Sequence, residues 1–135
     1  MTELHRGSCQ CGAVRFEIEG EFERFFLCHC SRCRKGSGSS HGAKLFSSTA
    51  RLTWLSGEDH LRTYRIPAAR HQTTFCTNCG APVPDLRNDG ALLMVPAGCL
   101  DTPVDFRPLA HIYIASRANW DDHLEDLPAF DERPA

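Results

Sequence analysis

Seven of the eight cysteines in this 135-residue chain fall into three tight groups, and that spacing limits the possible folds more than any other feature. Cys9 and Cys11 form a C-x-C pair. Cys28, Cys30 and Cys33 form a C-x-C-x-x-C triplet, and Cys76 and Cys79 form a C-x-x-C knuckle followed by Gly80. Cysteines one residue apart do not easily bridge to each other. No N-terminal segment combines a basic start with a long apolar run, so no secretory signal is expected. The expected setting is therefore the reducing cytoplasm, where such spacing points to metal ligation rather than to disulfides. Zinc suits these spacings better than an iron–sulfur cluster does.

The knuckle has the spacing of half a zinc ribbon and needs two further thiolates. Cys9 and Cys11 are the natural donors, which makes Cys9, Cys11, Cys76 and Cys79 a closed structural site joining the start of the chain to its middle. A length of 135 residues fits one domain with a sizeable core, so the clasp adds to that core rather than replacing it.

The triplet is left without an obvious fourth ligand. In an extended segment, residues two apart share a face, so Cys28 and Cys30 can converge while His29 points away. A turn after Cys30 brings Cys33 round. Three protein ligands and one free position characterise catalytic zinc sites. Cys28, Cys30 and Cys33 are thus the expected reactive centre, with His29, His41, Cys99, water or substrate as candidates for the fourth place. An open place is the favoured reading. The rival is a closed, inert site in a binding module, with Cys99 as the fourth ligand. Arg32, Arg34 and Lys35 adjoin the ligands, where they could offset the net negative charge of three thiolates on Zn²⁺ and hold the carboxylates of an incoming anion. His41 is the one histidine placed to be tested as an acid–base group.

Charge is unevenly spread. Residues 24–70 hold nine of the fifteen Lys and Arg and only Glu58 and Asp59 among the acids, while both flanking stretches are acidic. A basic surround favours a small anionic ligand. An acidic chain overall, with few aromatics among its basic residues, disfavours nucleic acid. The most apolar run, Ala91 to Val95, stops at Pro96 and is far too short to span a membrane. Nothing in the sequence indicates oligomeric state.

Short strands with frequent turns predict a mainly β domain over residues 1–135, without a long helix or a linker. Residues 13–19 alternate, with Val14, Phe16 and Ile18 on one face, and Gly12 marks a bend. Further strands are expected at 25–29, 43–46, 51–55, 61–65, 72–75, 91–95 and 111–115, with one helical turn at 31–35. Gly36 to Ser40 is read as a flexible loop able to act as a lid, and Asn88-Asp89-Gly90 as a turn. An acidic tail from about residue 121 is expected to run over the surface, anchored by Leu124, Leu127 and Phe130.

Taken together, Gly7-Ser-Cys-Gln-Cys-Gly12, Cys28-His-Cys-Ser-Arg-Cys-Arg-Lys35 and Phe75-Cys-Thr-Asn-Cys-Gly80 resemble the glutathione-dependent formaldehyde-activating enzyme family, which also includes centromere protein V. The segments Pro96 to Asp101 and Pro108 to Ile112, with Trp120, resemble the remainder of the family pattern. The resemblance implies a β-tent fold with two zinc ions, one structural on Cys9, Cys11, Cys76 and Cys79 and one functional on Cys28, Cys30 and Cys33. It also implies a carbon–sulfur lyase-type activity that joins glutathione and formaldehyde reversibly as S-hydroxymethylglutathione.

Overall fold

The computed structural model describes residues 3–134; Met1, Thr2 and Ala135 lie outside it. Its elements are β1 (Leu4–Ser8), β2 (Arg15–Glu19), β3 (Arg24–Cys28), α1 (Ser31–Ser37), β4 (Gly42–Ser47), β5 (Arg51–Ser56), β6 (Leu61–Arg65), β7 (Gln72–Cys76), β8 (Pro82–Val83), β9 (Asp85–Arg87), β10 (Leu92–Pro96) and β11 (Ala110–Ile112). Three small sheets result, ordered β1-β2-β5, β11-β3-β4-β10-β9 and β6-β7-β8. This is the mainly β architecture of short antiparallel sheets expected from the sequence. One pairing departs from it: β11 runs parallel to β3, with Ile112 opposite Cys28. No described helix is long and apolar enough to cross a membrane.

The core forms where the first two sheets face each other. In β2, Phe16 and Ile18 are fully buried while Arg15 and Glu19 are exposed, as two-residue alternation requires. They pack with Phe22, Phe25, Leu45, Leu93 and Val95. Leu93, Met94 and Val95 are consecutive and all buried, because β10 lies inside its sheet and is covered on both faces. A smaller cluster of Cys9, Val14, Cys76 and Val83 lies beneath the first cysteine group.

Two glycines are demanded by close approach. At Gly7 an added Cβ would collide with the Phe16 ring and the Cys99 carbonyl; at Gly57, which has φ of 77°, it would strike the Ala13 carbonyl. Gly12 forms the expected bend with φ of 82°, and the Cys9 N–H closes the loop by donating to the Val14 carbonyl at 3.0 Å.

Three sequence expectations are corrected. Gly36 to Ser40 is largely not a loop: Gly36 and Ser37 complete α1, Gly38 caps it in the left-handed region, and Ser40 is buried. The strand expected at 111–115 stops at Ile112, because Tyr113 turns left-handed and exposed. Leu124, Leu127 and Phe130 are exposed and anchor nothing. The tail is held instead by Asp121, whose Oδ2 lies 2.9 Å from Nδ1 of the buried His29.

Candidate functional site

The chain brings Cys9, Cys11, Cys76 and Cys79 together, all four sulfurs within 4.8 Å of one another. Cys9 and Cys11 sit on the loop after β1; Cys76 ends β7, and the knuckle turns at Gly80, whose φ is 79°. The Cys9–Cys11 sulfurs are 3.6 Å apart and the Cys11–Cys76 sulfurs 4.0 Å. A disulfide requires about 2 Å, whereas two thiolates on one tetrahedral zinc stand about 3.8 Å apart. The donors around the group fit bound thiolates too: the Val14 N–H meets Cys9 Sγ at 3.2 Å and Asn78 Nδ2 meets Cys11 Sγ at 3.1 Å. The Ala81 backbone N–H, above all, holds the Cys79 thiol down at about 6. This group could hold a metal ion.

Cys28, Cys30 and Cys33 form a second group with sulfurs within 4.8 Å of one another. The strand direction of β3 persists to Cys30, which is extended (φ −65°, ψ 157°) and caps α1 by accepting from the Cys33 N–H. Cys33 lies one helical turn on, so cap and turn set the three sulfurs side by side. Burial, opposed by Lys44, pushes the Cys33 thiol up to about 12. At Cys30 burial also acts upward, but hydrogen bonds from the Cys33 N–H, the Cys33 and Cys28 thiols and the Arg32 N–H together outweigh it and lower the thiol. A divalent cation inverts such a balance by taking thiolates directly. The set of three soft donors therefore also suits a metal ion.

Beside this second group opens a cavity of about 410 Å³. Its lining includes Arg32, Lys44, Arg70 and Arg87 and no acidic side chain, with Phe26, Phe46 and Ile112 supplying apolar wall. Of the three basic residues singled out in the sequence, only Arg32 lines it. Arg34, two positions further along α1, is turned to the far side of the helix, and Lys35, nearly a full turn beyond Arg32, also stays outside the lining. Arg87 is fixed by Asp85 Oδ1 at 3.0 Å and by the Gln72 carbonyl at 3.0 Å.

His71 is the group missed in the sequence. Its Nε2 lies 3.7 Å from Cys33 Sγ and 3.4 Å from Lys44 Nζ. Burial first, then Lys44, Arg87 and Arg32, holds the imidazole down at about 4, so it is neutral near pH 7.

The other candidates lie elsewhere. His29 points away from the cavity, with Nε2 2.8 Å from His111 Nδ1. Its opposite nitrogen meets the Asp121 carboxylate at ion-pair distance but without an in-line hydrogen bond. His41 packs against His29 with ring centroids 5.3 Å apart and lines a different cavity, with Cys99 and Asp101. Cys99 packs on the main core and belongs to neither sulfur group, and burial pushes its thiol up to about 12. Cys99→Ser is therefore expected to leave the metal content of purified protein unchanged, measured by elemental analysis. Loss of one equivalent would restore Cys99 as a ligand.

Residues 4–116 match the family model described as "Glutathione-dependent formaldehyde-activating enzyme", a span that includes both cysteine groups and stops short of Asp121. A Halomonas elongata protein named "Putative glutathione-dependent formaldehyde-activating enzyme" is 29% identical over 127 residues, covering 87% of this chain and 79% of the relative. A crystal structure described only as a Rhodobacter sphaeroides protein superposes with a TM-score of 0.58 at 25% identity, over 78% of this chain and 98% of that one.

Proposed function

The chain belongs to the glutathione-dependent formaldehyde-activating enzyme family, and on that premise we propose that it is a zinc-dependent, carbon–sulfur lyase-type enzyme of the cytoplasm. It interconverts glutathione and formaldehyde with S-hydroxymethylglutathione. The observation that carries this reading is a three-sulfur group opening on a cavity walled by cations. Cys9, Cys11, Cys76 and Cys79 hold the structural zinc; Cys28, Cys30 and Cys33 hold the functional one. When bound there, zinc supplies Lewis acidity and lowers the pKa of a thiol at its free position.

The chain's own residues do the rest. Glutathione carries two carboxylates, and Arg32, Lys44 and Arg70 offer cations for them around one cavity, while Arg87 is engaged by Asp85. Arg34 and Lys35, off the cavity face, serve at most to draw the anion in. Phe26, Phe46 and Ile112 exclude water beside the reacting carbon. In the forward direction a sulfur–carbon bond forms, the carbonyl π bond opens, and the thiol's proton ends on the new hydroxyl. No net oxidation occurs. Reversal returns both reactants, so the enzyme accelerates an exchange without displacing its equilibrium.

The test is exchange NMR at chemical equilibrium of glutathione, formaldehyde and their adduct. The zinc-loaded protein is expected to speed the exchange. Arg32→Gln is expected to raise KM for glutathione about tenfold, the loss of about 1.4 kcal/mol of charge-assisted hydrogen bonding. Unchanged exchange with fully loaded protein would remove the formaldehyde assignment.

A further inference from the structure

Resting on the proposed three-cysteine zinc centre, we infer that His71 is its fourth ligand in the substrate-free protein and yields that place to the substrate's sulfur. The first ground is distance. Zinc bonds of about 2.3 Å to sulfur and about 2.0 Å to imidazole nitrogen put the two tetrahedral ligand atoms about 3.6 Å apart. His71 Nε2 and Cys33 Sγ are 3.7 Å apart.

The second ground is the state of the nitrogen. Lys44 Nζ, 3.4 Å away, is an ammonium and can only donate. An Nε2 that accepts from Lys44 presents toward it the same lone pair with which it would bind a metal. The same nitrogen faces both Lys44 and the sulfur group, so one side-chain movement exchanges one partner for the other.

The third ground is where motion is possible. The backbone at this point is tied down: the Ile66 N–H donates to the His71 carbonyl at 3.0 Å, and Arg87 holds the next carbonyl, Gln72, at 3.0 Å. The ring, by contrast, lines both the 410 Å³ cavity and an adjoining one of about 70 Å³. It lies outside the three-sulfur group while at ligand distance from one member. A short movement of the ring from Lys44 toward the other two sulfurs would complete the set of four. Four protein ligands would shield the resting centre. The substrate's sulfur would take the place of the imidazole, and Lys44 would keep the displaced ring close.

Cobalt(II) replacement tests this by NMR, using full-length protein with ¹⁵N only in its histidine side chains. Two bound cobalt equivalents and one strongly shifted, exchangeable imidazole N–H are expected. That resonance should vanish on saturation with glutathione, with both cobalt ions retained. It should also be absent from His71→Ala, again with two cobalt equivalents. Two equivalents with no shifted imidazole N–H, or a resonance that survives glutathione or His71→Ala, would overturn the His71 assignment alone. A single cobalt equivalent in the wild-type chain would overturn the three-cysteine centre and this inference with it. The glutathione arm needs no variant, so a folding defect in His71→Ala does not blunt the test.

Discussion

Cys76→Ala is expected to unfold the chain. Cys76 is fully buried at the end of β7, in a cluster with Cys9, Val14 and Val83, and its sulfur belongs to the four-sulfur group. Through that group the loop after β1 is joined to a hairpin some sixty residues further on, and the other hydrophobic residues packed there, such as Ala13, Trp54 and Leu61, are only partly buried. A structural zinc contributes about 10 kcal/mol or more in small domains, while net domain stability is about 5–15 kcal/mol. Three remaining thiolates bind more weakly and leave a cavity where the fourth was packed. The variant should lose one metal equivalent and its cooperative thermal transition, followed by circular dichroism. The same loss is expected when a strong chelator strips the wild-type protein. A variant melting within a few degrees of wild type would show that the clasp does not hold the fold together.

Much of this architecture was legible because its causes are local. The β2 alternation, the knuckle and the turn at Asn88-Asp89-Gly90 each follow from side chains a few residues apart; in that turn all three residues take positive φ, as Asn, Asp and Gly tolerate best. What escaped depended on distant partners. β1 was missed because its inward residues are His5 and Gly7, so no apolar alternation announces it. Leu124, Leu127 and Phe130 have the spacing of anchors, but the chain presents no surface for them to cover. The real tether, Asp121 on His29, is an acid among many acids in sequence and becomes distinctive only when β3 places His29 beneath it.

The site divides in the same way. Cysteine spacing located both sulfur groups because tetrahedral ligands must cluster and short loops place them in pairs. The cations around the cavity share no such local spacing. Arg32, Arg34 and Lys35 are equally near the triplet in sequence, yet only Arg32 lines the cavity. Lys44 comes to the cavity by pairing: it stands opposite Phe26 on β3, two residues before Cys28, and shares its face of β4 with Phe46. Two-residue alternation would have revealed Lys44 once the β3–β4 register was known. Arg70 and His71 arrive from the loop before β7 and Arg87 from the short strand β9, and no local pattern connects them.

Cys30→Ser is expected to do the reverse of Cys76→Ala, abolishing activity while sparing the fold. Cys30 is only partly buried, and its sulfur has two roles: it belongs to the three-sulfur group and it caps α1 by accepting from the Cys33 N–H at 3.4 Å. Serine is among the best N-cap residues, so the helix start keeps its acceptor and stability should change by no more than about 1 kcal/mol. As a metal ligand, however, a neutral hydroxyl is a poor substitute for a thiolate, because the soft donor that zinc holds is the deprotonated sulfur. Metal content should fall from two equivalents to one, with the four-sulfur group still loaded and the melting transition close to wild type. Catalysed exchange between glutathione and its formaldehyde adduct should drop to the uncatalysed rate. The comparison with Cys76→Ala separates two jobs that cysteine spacing alone leaves intertwined. If Cys30→Ser retains both metals and half the wild-type rate, the three-sulfur group is not the reacting centre. If it unfolds, the second ion serves the fold as the first does.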